Sequence, residues 1–131
     1  MEKKVCKIKK ILVAIDFSTY SRPVLEYAAE VARNTNARIV ALNIINQIEI
    51  DSVKKEVNSK HPHTFALAKH LPYEIGRREL KMEALVEKIL GSAPLPVEIR
   101  IGHGIPHVEI LKALDRESAD LLVFGPKGGA Q

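Results

Sequence analysis

Five consecutive apolar residues, Ile11-Leu12-Val13-Ala14-Ile15, run into Asp16-Phe17-Ser18. An unbroken run without polar alternation predicts a strand buried on both faces, as in a parallel sheet. Ser18, Thr19 and Ser21 offer N-cap oxygens, and Pro23 suits a first helical turn. Val24, Leu25, Ala28, Ala29, Val31 and Ala32 then recur mainly at helical spacing, with Glu26, Glu30 and Arg33 outward, until Asn34-Thr35-Asn36 ends the helix. Residues 38–45 read as a second buried strand. The stretch 46–71 is polar and weakly periodic, and it predicts a long connection with at most a helical turn near 54–58. Ile75, Met82, Leu85, Val86, Ile89 and Leu90 mark an amphipathic helix that Gly91 stops. A strand over 95–101 follows, then a turn over 102–106. The next helix has an expected inner face of Val108, Ile110, Leu111 and Leu114, and residues 121–124 form a fourth strand.

Strands alternating with helices predict an α/β fold: an open parallel sheet sandwiched by helices, Rossmann-like, in a single domain over 1–131. In such sheets ligands sit beyond the carboxyl ends of the strands, where the strand order switches. Asp16, Asn43 to Asn46, Gly102 to Pro106 and Gly125 to Gly129 all fall at those ends.

Composition narrows the functional classes. Hydrophobic residues make up 46% and charged residues 27% of 131, the balance of a globular domain. No apolar run approaches the roughly 20 residues of a membrane helix, and the first run is too short for a signal-peptide core, so a cytoplasmic protein is expected. One cysteine, Cys6, excludes an internal disulfide framework and a cysteine-based zinc site. The net charge of +4 resides in a basic tail, residues 1–9 with Lys10, which carries five lysines against Glu2; the rest of the chain is neutral. A tail without aromatics reads as solvated rather than as a nucleic-acid or membrane arm.

The candidate chemistry is concentrated on the rim. Asp16 can accept from ribose hydroxyls or base amino groups, or it can hold the following loop through backbone N–H groups. Gly125 and Gly128, with Gly129, follow the fourth strand; they suit an anion-binding nest and equally a plain turn, with Lys127 beside them. His61, His63 and His70 lack the carboxylates of a metal site, and His103 and His107 flank a turn. Glu79, Glu83 and Glu87 recur every four residues as a solvated helix face. No nucleophile–base pair emerges.

Three segments carry a resemblance. Residues 10–18 (KILVAIDFS), 104–111 (GIPHVEIL) and 119–128 (ADLLVFGPKG) resemble, in order and spacing, the opening strand and turn, the G-x-P-x-x-E-I motif and the A-D-L-I-V-M-G-x-x-G strand and loop of the universal stress protein family. The resemblance implies a nucleotide α-hydrolase-like sheet of order 3-2-1-4-5, with four of its five strands visible here. It also implies an adenine nucleotide, ATP or AMP, with Asp16 and Ile44 at the adenosine, Phe124 beside them, and Gly125 and Gly128 at ribose and phosphates. No metal is implied beyond a nucleotide-associated Mg. In members that bind ATP a second glycine and a hydroxyl follow; here they would fall at positions 138 and 139, past Gln131, so the last helix and fifth strand are expected to be absent.

The function implied is a regulatory stress response with at most weak ATP hydrolysis. The alternative is an interaction module of the same fold that binds no nucleotide. A homodimer, or another chain covering the bare sheet edge, is expected as partner, and neither nucleic acid nor membrane is. An ATP-using pyrophosphatase would need S-G-G-x-D-S after the first strand, where this chain has Ala14-Ile15-Asp16-Phe17-Ser18-Thr19.

Overall fold

The computed structural model describes residues 7–48 and 67–126. Its elements are β1 (Lys10–Ala14), α1 (Ser21–Thr35), β2 (Arg38–Asn46), α2 (Leu67–Leu90), β3 (Val97–Gly104), α3 (Pro106–Arg116) and β4 (Leu121–Val123). The four strands form one parallel sheet in the order β3-β2-β1-β4. The chain steps outward from β1 to β3 and then returns to the far side of β1, so the strand order switches at β1.

Alternation along the strands divides the core. Ile11, Val13 and Ile15 of β1 and its extension, with Ile39 and Ala41 of β2, pack against α1 and α2. Leu12, Val40 and Leu42 face the opposite way, onto Ala113, Ile110 and Leu114 of α3. Both sides of β1 and β2 are buried, which is why their sequences read as continuous apolar runs.

Several boundaries depart from the pattern-based reading. Tyr20, not Ser18, Thr19 or Ser21, stands at the N-cap of α1, and no side-chain oxygen caps that helix. The helix ends as expected, with Asn36 left-handed at φ 59°. Helix α2 begins at Leu67, so the last five residues of the expected 46–71 connection are helical. Pro72 lies inside it and forgoes one backbone hydrogen bond. Residues 49–66, including His61, His63 and the turn near 54–58, lie outside the described residues, as does the basic tail up to Cys6.

Strand β3 runs on through Gly102 and Gly104, which were expected to turn. Gly104 takes φ 139°, and a β-carbon there would stand 2.7 Å from Glu109 Cγ. That close approach, with Pro106 opening α3, gives the G-x-P-x-x-E spacing a packing explanation. On α3, Leu111 is exposed and Ala113 is the buried residue, because one helix covers this face of the sheet and its inward stripe is narrow.

Candidate functional site

The carboxyl ends of β1, β2 and β4 form one rim, and Asp16, Ile44, Phe124 and Gly125 each lie at one of these ends. Strand β1 stops pairing at Ala14, opposite Leu42. The Ile15 N–H still donates to the Leu42 carbonyl at 2.8 Å. Asp16 lies two residues beyond Ala14, as Ile44 lies two beyond Leu42, and Ile44 pairs with Gly102. Ile44 is half-buried on the α3 side. Phe124 follows β4 and leaves the strand before it, 66% exposed.

The β1–α1 turn is built from short side-chain bonds. Asp16 Oδ1 accepts from the Ser18 N–H at 2.9 Å, and Ser18 Oγ accepts from the Tyr20 N–H at 3.2 Å. Phe17 between them is left-handed, with φ 64°. Thus Asp16 holds the loop through a backbone N–H, one of its two anticipated roles, and stays exposed on the rim. An exposed carboxylate can accept a hydroxyl or amino hydrogen bond, and a half-buried isoleucine offers apolar surface.

Gly125 has a steric reason to be glycine. A β-carbon there would lie 3.0 Å from Tyr20 Cβ and 3.1 Å from Val24 Cγ2, so the chain after β4 packs directly on the first turn of α1. Gly128, with Lys127 and Gly129, lies outside the described residues.

Sequence reasoning placed Asn43 at the rim without giving it a role. It is 3% exposed and is the one polar residue between Ile39 and Ile45 of β2. Its Nδ2 donates to the Ile15 carbonyl at 2.7 Å, and its Oδ1 accepts from Arg78 at 2.9 Å. Arg78 in turn donates through Nε to Glu74 at 2.8 Å, and Arg77 reaches the same carboxylate at 2.7 Å. The bond from Arg77 is the largest influence on the Glu74 carboxyl; burial opposes it, but with the bond from Arg78 and the two guanidinium charges the carboxyl is held down to about 2. The Lys81 ammonium stands 4.6 Å from the centre of the Phe17 ring. A lone asparagine within an apolar run was the available signal, since a buried amide must find partners.

An open apolar groove of about 530 Å³ lies along the outer edge of β4, lined by Tyr20, Pro23, Val24, Tyr27, residues 121–124 and Pro126. Leu121 and Val123 face α1 while Leu122 faces α3, so this groove follows the outer edge of the strand. Among the described residues no cluster of histidine, cysteine, aspartate or glutamate has the grouping of a metal site, and no helix is long and apolar enough to cross a membrane.

Residues 7–130 match the model of the Universal stress protein family. Among solved structures, the chain is similar to the universal stress protein UspA from Lactobacillus plantarum, with 21% identity, a TM-score of 0.69, and coverage of 97% of this chain and 83% of that one. It is similar to the protein MJ0577 at 28% identity and a TM-score of 0.70, over 96% of this chain and 80% of the other. A universal stress protein in complex with cAMP shares the fold at 18% identity and a TM-score of 0.52, over 89% and 72%. No curated protein matched.

Proposed function

The chain belongs to the universal stress protein family, and from that premise we propose that it binds an adenine nucleotide, ATP or AMP, on the rim of β1, β2 and β4. In this reading it is a cytoplasmic regulatory protein of the stress response, with slow ATP hydrolysis at most. The observation that carries the reading is an exposed carboxylate, Asp16, two residues past the last β1–β2 pair, and a half-buried aliphatic, Ile44, two residues past the same pair on β2, both at the switch point of the sheet. Asp16 would accept from the ribose hydroxyls and Ile44 would pack under the adenine. Phe124 would stand beside them, and the backbone at Gly125 and Gly128 would meet ribose and phosphates. A relative of the same fold is in complex with cAMP, itself an adenine nucleotide, which supports the choice of ligand class. A Mg ion would enter only with the phosphates. Mass spectrometry of the purified protein tests the proposal. Release of a stoichiometric adenine nucleotide is expected; a protein that neither carries nor takes up ATP, AMP or adenosine would defeat it.

A second reading is favoured by the groove at the β4 edge. Tyr27 and Phe124 are 58% and 66% exposed beside it, and strand edges with apolar flanks are contact surfaces. In that reading the chain is an interaction module, with a second copy or another chain covering the edge, and no nucleotide is required.

A further inference from the structure

The residues on either side of Asp16 are both linked to helix α2, Ile15 through Asn43 of β2 and Phe17 directly. Upstream, the Ile15 carbonyl lies past the last paired residue of β1 and accepts from Asn43 Nδ2 at 2.7 Å. The asparagine amide thus takes the place of the backbone N–H that a continued ladder would supply, and β1 can end without stranding a carbonyl. Its orientation is fixed by its partners, because a carbonyl only accepts and the Arg78 guanidinium only donates. Arg78 is itself pinned by Glu74, one helical turn earlier. Downstream, Phe17 is left-handed, and its ring lies under the Lys81 ammonium at 4.6 Å. Arg78 and Lys81 are three residues apart and so project from one side of α2.

We propose that Asn43, Arg78 and Lys81 are positioning residues that hold the Ile15–Phe17 turn, and with it the Asp16 carboxylate, in the geometry that receives the nucleoside. The inference rests on the nucleotide-binding reading for its ligand, but the turn itself reports independently. A merely structural contact between α2 and the sheet would stabilise the whole fold and leave the turn no more affected than the core. A positioning relay concentrates its effect at Asp16.

The discriminating variant is Asn43→Asp. It keeps an acceptor for Arg78 and loses the donor to the Ile15 carbonyl, so the clamp survives and the relay does not. Lys81→Met on the exposed helix face is the companion, since it removes the cation over Phe17 without emptying the core. Amide hydrogen exchange is followed by NMR at Ser18, whose N–H is bonded to Asp16, and at Val13 in the paired part of β1. AMP affinity is measured by calorimetry on the same variants, alone and with Asp16→Ala.

In Asn43→Asp, Ser18 exchange should quicken about tenfold, the scale of one lost hydrogen bond, while Val13 stays protected. Lys81→Met should move the same amide in the same direction by a smaller factor. AMP affinity should fall about tenfold in Asn43→Asp, with no further loss when Asp16→Ala is already present. Unchanged Ser18 exchange in both variants, or losses additive with Asp16→Ala, would overturn the proposal. If the wild-type protein binds no AMP, the nucleotide reading fails by itself, and the Ser18 amide still decides whether the relay holds the turn.

Discussion

Strand β1 has a neighbour on each side, and the two are secured very differently. Strand β2 is nine residues long, lies between β1 and β3, and is buried along most of its length. Its carboxyl end is tied to α2 through Asn43 and Arg78. Strand β4 has three residues, all half-buried, and among the described residues it pairs only with β1. Leu12 and Leu122 make the contrast concrete: they are register partners facing the same helix, yet Leu12 is fully buried and Leu122 is not. The buried side of β1 can hold a polar group in a fixed place, because the packing and hydrogen bonds around it leave one arrangement. The β4 side offers apolar surface and, among the described residues, an outer strand edge, the materials of a contact.

The sharpest way to break this comparison is to truncate the two register partners. Leu12→Ala should cost about 2–5 kcal/mol in urea unfolding, the usual range for a buried leucine, and Leu122→Ala roughly half as much. Equal losses would mean that another chain covers β4 in solution. Next in size is Gly125→Ala, whose β-carbon would press on Tyr20 and Val24. It should cost about 1–3 kcal/mol, read as a lower melting temperature, and an unchanged melting temperature would show that the chain after β4 yields freely.

A smaller effect is expected on the β2 side, with acid. The carboxyl of Glu74 titrates at about 2 in the folded protein, below its ordinary 4.5. Between those values the unfolded chain binds the proton more readily, so stability from Glu74 is complete above pH 4.5 and is lost as pH falls toward 2. Wild type should exceed Glu74→Gln in urea midpoint at pH 7, and the gap should close through that window. Glu117, lowered chiefly by its bond to Lys10, shifts in the same direction and is present in both proteins, so it cancels. A gap constant with pH would remove the carboxylate as its cause. The smallest change in folding stability belongs to Tyr27→Glu at the groove, within about 0.5 kcal/mol as for other exposed sites. If a second copy covers the β4 edge, the same substitution should dissociate it in light scattering; an unaltered dimer would place its interface elsewhere.

Much of the fold was legible because burial on two faces leaves a plain trace. The runs at 11–15 and 38–45 named β1 and β2, and the spacing from Val24 to Ala32 named α1. The beginning of α2 was not legible, because Pro72 and the polar letters around it argue against a helix that the structure nonetheless forms. The end of β3 was obscured by its glycines, which usually signal a turn and here make room for Ile44 and Glu109. Leu111 shows the limit of periodicity, since a helical stripe does not reveal how wide a surface awaits it. At the rim, Asp16 and Ile44 could be placed by strand order. The tie from Arg78 to Asn43 spans 35 residues, and no local pattern pairs them.

The most direct test is a calorimetric titration of AMP into the wild-type protein and into Asp16→Ala. The account predicts saturable binding to wild type and a loss of about tenfold or more in the variant, as expected for a hydrogen bond to a charged acceptor. Equal affinity in the two proteins, or no binding to wild type, would contradict it.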